Sequence, residues 1–168
     1  NHQARDHLEE GRLKTDAGDL VGAVTSFQQA LSAHPGWAEA HFELGRAYHG
    51  QGRLGQAMAA YRAAIRLTPD MQPAYANLGL AYFQNGDLEQ AVLATAEIAP
   101  EAVRPQVRDL CARISGGQRL SIALRDFAQD LDDATGDLVV AALVLAAEHQ
   151  ARHLADLLAS LAAAAREQ

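Results

Sequence analysis

Residues 72–92 read QPAYANLGLAYFQNGDLEQAV, and the character of the chain changes across them. Behind this stretch lie two copies of a pattern 34 residues long. Ahead of it the pattern stops, while helix-forming sequence runs on to Gln168. The stretch therefore serves as a third copy and as the opening of a different helical bundle. Laid on itself at that shift, the chain brings Gly11, Gly45 and Gly79 into one register and Ala23, Ala57 and Ala91 into another. Phe27 matches Tyr61, Ala30 matches Ala64, and Pro35 matches Pro69. Small residues in the first two registers let paired helices approach closely, the aromatic fills the gap between units, and proline ends each second helix. The turns Ala17-Gly18-Asp19, Gln51-Gly52-Arg53 and Asn85-Gly86-Asp87 break each hairpin in the middle.

Composition agrees with helices. Alanine and leucine dominate, aromatic residues make up only 5% of the 168, and helix rather than sheet follows. The net charge of −7 argues against nucleic acid, whose phosphates need a basic face. The acid is unevenly placed: residues 1–70 carry 7 basic and 8 acidic side chains, and residues 71–168 carry 7 and 13. A single cysteine, Cys111, can close no internal disulfide and can build no thiolate zinc site, which points to a reducing compartment. The longest apolar run, Leu138 to Ala147, is about half of what spans a bilayer, and a soluble chain is expected.

These registers resemble the tetratricopeptide repeat. The match is strongest over residues 37–70, where Leu44, Gly45, Tyr48, Ala57, Tyr61, Ala64 and Pro69 hold signature positions. Residues 4–36 match in their second helix and poorly in their first, where Glu10 and Lys14 stand for the usual leucine and tyrosine. A polar first helix suits the exposed end of a stack, and it reads as a cap. The resemblance implies an all-α fold of helical hairpins over residues 1–85, with repeats at 4–36 and 37–70 and the first helix of a third at 72–85.

It also implies a concave binding scaffold rather than an enzyme, with proteins or peptides as partners. Carried onto this chain, the groove positions of the family fall on Leu8, Arg12, Glu39, Phe42, Arg46, His49, Ala76, Asn77, Leu80 and Phe83. The family's clamp for a peptide's terminal carboxylate would need lysine and asparagine at Leu8, Arg12, Glu43, Pro73 and Asn77, and only Asn77 fits. An extended or helical partner lying on Phe42, Leu80 and Phe83 is the better expectation. The plain alternative is a groove that packs only against its own chain or another copy, so a homo-oligomer stays open.

The third copy starts faithfully with Tyr75, Leu78, Gly79, Tyr82 and Ala91 and then fails. Thr95 stands where an aromatic belongs, Ile98 where alanine belongs, and Pro100 arrives early. Helices are expected at about 87–98, 101–115, 118–132 and 135–166, giving an antiparallel bundle over residues 86–168. The segments LEQAV, GGQRLSIALRDFAQDLDDATGDLVVAAL and AAEHQARHLADLLASLAAAAREQ resemble the cytoplasmic domain of the type II secretion F family, as in Tad pilus assembly. That resemblance implies a cytoplasmic module of a membrane-anchored parent at the bacterial inner membrane, docking on a pilus assembly ATPase. The acidic residues Asp126, Asp130, Asp132, Asp133 and Asp137 are its candidate docking surface, against the plainer reading of a solvated junction. Ala134 and Gly136 depart from the family's loop. The two resemblances share the segment GDLEQA, so a natural recombination or an engineered fusion of two modules would both account for the pattern.

No chemistry stands out. His149 and His153 share a helical face at a spacing that could hold a metal, yet no third ligand is near, and a solvated helix end is the better account. The run from Asp130 to Asp137 lacks the oxygen ligands a calcium loop needs at Ala134 and Ala141. No phosphate loop, activated nucleophile or dinucleotide fingerprint appears, so no enzyme, metal or cofactor is expected. The leading reading is a non-enzymatic interaction scaffold of a pilus or secretion platform. A generic tetratricopeptide adaptor and an engineered fusion are the alternatives.

Overall fold

The computed structural model describes residues 1–99, 101 and 104–130. Every regular element among them is a helix. In chain order they are α1 (His2–Asp16), α2 (Leu20–Ala33), α3 (Ala38–Gly50), α4 (Leu54–Leu67), α5 (Gln72–Gln84), α6 (Leu88–Ala96), α7 (Arg104–Ser115) and α8 (Leu120–Asp130). They fall into two units that divide between Ile98 and Ala99.

In the first unit α1 pairs with α2, α3 with α4 and α5 with α6, and each second helix packs on the first helix of the next pair. The hairpins exist because the turns between paired helices demand a left-handed residue. Gly18, Gly52 and Gly86 sit at φ of 82°, 74° and 83°, where a Cβ would clash with the backbone. The three turns repeat one hydrogen-bond pattern, Asp19 N–H to Lys14 O, Arg53 N–H to Tyr48 O and Asp87 N–H to Tyr82 O, at 2.8 to 2.9 Å.

Close approach within each pair rests on the glycine register. A Cβ added at Gly11 would lie 2.5 Å from the Phe27 ring, and one at Gly45 would lie 2.7 Å from the Tyr61 ring. Phe27 and Tyr61 are accordingly buried, and Leu8, Ala23, Ala30, Ala40, Leu44, Ala57, Met58 and Leu78 join them in one continuous core. In the third hairpin Thr95 takes the aromatic's place, with its methyl 2.6 Å from a Cβ built at Gly79. Its hydroxyl turns back to the carbonyls of Ala91 and Val92 at 2.9 and 3.0 Å. The helix expected over about 87–98 is shorter, Leu88–Ala96.

The first hairpin closes the stack at its N-terminal end. Lys14 Nζ pairs with Glu10 at 2.7 Å and donates to the buried Ser26 hydroxyl at 3.0 Å. The lysine holds the Glu10 carboxyl below its usual range through that hydrogen bond and its charge. Polar side chains thus occupy the places where Leu44 and Tyr48 are buried in the next repeat.

In the second unit α7 and α8 form a hairpin around the turn at Gly116 and Gly117, the latter at φ 91°. Leu110, Ile114, Ala123 and Leu124 are buried. Cys111 is half-buried on α7.

Candidate functional site

The first helices α1, α3 and α5 lie side by side and form one face of the first unit. One end of that face is a charged ladder. Arg12 on α1 pairs with Glu9 at 2.7 Å, reaches across to a carboxylate oxygen of Glu39 on α3, and lies 3.8 Å from Glu43. Glu43 in turn pairs with Arg46 at 3.2 Å. These contacts raise the Arg12 guanidinium above its usual value even though burial opposes it. Both arginines are already balanced by carboxylates, so this end offers no uncommitted cation to a ligand carboxylate.

The middle of the face is a neutral hydrogen-bonded chain. Tyr61 reaches between the first helices from α4, its hydroxyl 3.1 Å from His49 Nδ1. His49 Nε2 lies 2.6 Å from the Gln84 side-chain oxygen, so Nε2–H donates to Gln84 and Nδ1 accepts from Tyr61. Asn77 also hydrogen-bonds the phenol, and burial pushes the Tyr61 pKa up to about 12. The phenol therefore stays a donor across the physiological range. Phe42 is half-buried with its ring centroid 5.9 Å from that of Tyr61.

The far end is apolar and open. Leu80 and Phe83 on α5 are 48% and 47% exposed, one turn apart on a face otherwise knit by polar contacts. Of the ten groove positions expected from sequence, Leu8 lies in the core, while Arg12, Glu39, Phe42, Arg46, His49, Ala76, Asn77, Leu80 and Phe83 are partly or fully accessible. Arg12 binds Glu39 directly and joins Arg46 through Glu43. His49 and Asn77 join through Tyr61.

Sequence reasoning gave Tyr61 a packing role only and did not include Gln84. The signal for Tyr61 was the hydroxyl itself: Phe27 holds the same register without one, so the added oxygen needed a polar partner.

Two family models for the tetratricopeptide repeat match the chain, over residues 8–72 and 49–114. Residues 8–114 are tetratricopeptide repeats. Solved tetratricopeptide-like structures agree in fold. A crystal structure of MamA superposes with a TM-score of 0.58 at 20% identity, covering 91% of this chain and 81% of MamA. Another MamA structure gives 0.56 at 18% identity, covering 92% and 94%. The TPR2B domain of yeast Sti1, solved in complex with pHsp70, gives 0.51 at 18% identity over 70% of this chain and 100% of that domain. No curated protein matches the sequence. The tetratricopeptide match runs through α7 to residue 114, into the segment that resembles the secretion family. None of these matches points to a type II secretion F domain or to a fusion of two modules.

The acidic candidates fall in the second unit. Asp126 on α8 is held by Arg113 at 2.5 Å and by the Gln118 amide at 3.0 Å, and Arg113 also binds Asp109 at 2.8 Å. These carboxylates, first of all the hydrogen-bonded Asp109, raise the Arg113 guanidinium. Asp130 is exposed at the end of α8. Asp132, Asp133 and Asp137 lie outside the described residues, as do His149 and His153. Among the described residues no cluster of His, Cys, Asp or Glu could hold a metal ion, and no helix is long and apolar enough to cross a membrane.

Proposed function

We propose that the chain is a non-catalytic protein-binding scaffold whose α1–α3–α5 face takes a peptide segment carrying bulky apolar side chains. The observation that carries this is the pair Leu80 and Phe83, half-exposed at the end of a face whose charges are otherwise satisfied internally. An aromatic or aliphatic anchor seated there, beside the half-buried Phe42, would gain most of its binding energy from desolvation. The internally paired Arg12 and Arg46 make a carboxylate-tail clamp a poor fit.

Selection of a displayed peptide library on the full chain tests the proposal. The peptides recovered are expected to share bulky apolar residues, and Leu80→Ala with Phe83→Ala should weaken them by about 30-fold or more, the loss of one interface anchor of ~2 kcal/mol. Peptides that bind the double variant as well as the original would move the site elsewhere.

The finer reading, an assembly-platform module that docks a pilus ATPase through Asp126, Asp130, Asp132, Asp133 and Asp137, is supported only by the sequence resemblance of residues 86–168. With Asp126 already committed to Arg113, Asp130→Asn is the informative variant. It should slow association with such an ATPase at low salt, and unchanged association would remove α8 from the docking surface.

A further inference from the structure

The second hairpin departs from the first at three repeat-equivalent positions, each time towards positive charge. Asp19, Arg53 and Asp87 are the N-caps of α2, α4 and α6. Asp19 caps its helix by accepting the Gly22 N–H at 2.9 Å, but Arg53 makes no side-chain cap bond and places a cation at the positive end of the helix dipole. Gln28 on α2 donates to the Tyr48 hydroxyl at 3.1 Å, and in the next repeat Arg62 on α4 makes the same contact to the Tyr82 hydroxyl at 2.8 Å. Ser32 bonds its own helix, and Arg66 stands in its place.

No acidic residue occurs from Leu44 to Pro69, although the chain as a whole carries a net charge of −7. The partners of these arginines also differ from those on the groove. Arg12 and Arg46 on the groove are paired with carboxylates. Arg53 lies over the Tyr48 ring at 5.6 Å, and Arg62 is held by a phenol. Both side chains are positioned by neutral groups that leave their charge uncompensated. Arg62 and Arg66 stand one helical turn apart and exposed on one side of α4, in the row of second helices that backs the groove.

We propose that the outward side of α4, with Arg62 and Arg66 at its centre, is a second docking surface for a short acidic peptide segment. Guanidinium groups held without a counter-carboxylate present their fork to an incoming one, the strongest pairing arginine makes. The occupant is short because the remaining net acidity of the chain repels any extended polyanion, whether nucleic acid or an anionic bilayer. This surface is separate from the groove, and its failure would leave the peptide-groove reading intact.

The test uses the full chain and a fluorescently labelled hexaglutamate peptide with blocked ends, followed by anisotropy and by amide chemical-shift mapping. Saturable binding should move resonances along α4 and weaken by about tenfold as ionic strength rises from roughly 0.05 to 0.3 M, where screening shortens below the spacing of the charges. Arg66→Gln, at a side chain with no hydrogen bond or ion pair among the described residues, should weaken binding several-fold, and Arg62→Gln with Arg66→Gln should abolish it. Arg46→Gln, on the groove, should leave it unchanged. Absence of saturable binding, binding indifferent to Arg62 and Arg66, or shifts confined to the groove would each overturn the proposal. So would phosphatidylserine vesicles that bind through Arg62 and Arg66 while the peptide does not.

Discussion

Replacing Tyr61 with phenylalanine separates the packing role of this side chain from its hydrogen bonds. The ring, 1% exposed, stays in place against Gly45. What is lost is the hydroxyl that joins His49 at 3.1 Å and Asn77. Both partners are half-accessible, so water can replace the phenol in part, and the net cost near neutral pH should be about 1 kcal/mol.

At high pH the sign reverses. The phenol titrates near 10 in the unfolded chain and at about 12 in the folded one, because burial disfavours the phenolate. A folded pKa above the unfolded one gives stability that is complete below pH 10 and is lost as pH rises towards 12. By linkage the loss reaches about 1.4 kcal/mol at pH 11 and roughly 2 kcal/mol at pH 12. Tyr61→Phe lacks that titration. Urea unfolding of the two proteins at pH 8, 10 and 11 should give differences that start about 1 kcal/mol in favour of tyrosine and change sign between the last two pH values. The other tyrosines, including Tyr75, whose phenol is also raised by burial, cancel in the difference. A difference independent of pH would mean that the Tyr61 phenol is not buried as the structure places it.

The glycine register makes a graded series: Gly11→Ala and Gly45→Ala drive a methyl into a buried ring and should each cost about 1–3 kcal/mol before a helix-propensity gain of up to ~1 kcal/mol. Gly79→Ala meets only the Thr95 methyl and should cost less than either, read by chemical unfolding. Gly52→Ala, at φ 74°, should destabilise by about 1 kcal/mol without altering helix content by circular dichroism. Phe27→Ala, at a side chain with no exposed surface, should cost about 3–5 kcal/mol and bring the melting transition down by several degrees or more.

The repeats were legible because their cause is local. A glycine that must take positive φ and a small residue facing an aromatic recur at a fixed shift, and neither needs tertiary context to be recognised. The shorter α6 was harder to place. Thr95, Ile98 and the early Pro100 signal that the pattern weakens without marking where the helix stops, which is at Ala96. The groove positions carried over from the tetratricopeptide resemblance fall, apart from the buried Leu8, on accessible side chains of α1, α3 and α5. The pairing among them was not legible, because Arg12 to Glu39 spans 27 residues and His49 to Gln84 spans 35, distances along the chain at which spacing carries no geometric information. Leu8 shows the converse error: the resemblance placed it on the groove, but its side chain turns into the core.

The three hairpins hold one backbone while their groove registers change chemistry in order along the stack. Position by position, Glu9 becomes Glu43 and then Asn77, Arg12 becomes Arg46 and then Leu80, and Thr15 becomes His49 and then Phe83. At the first hairpin the carboxylate and the guanidinium are one turn apart and neutralise each other, and Thr15 bonds its own helix at the Gly11 carbonyl, 2.9 Å away. At the second the pair repeats, and His49 links α3 to α5 through Gln84. At the third the charges are gone and two large apolar side chains face water. Ion pairs on an exposed surface contribute little to stability, so the ladder at one end is cheap to keep and costly only to an unpaired ligand charge that would have to displace it. Exposed leucine and phenylalanine, by contrast, gain only when covered. On the proposed peptide-binding reading, the face would resist a charged end at α1 and reward an apolar one at α5, and so set the direction in which an amphipathic segment lies.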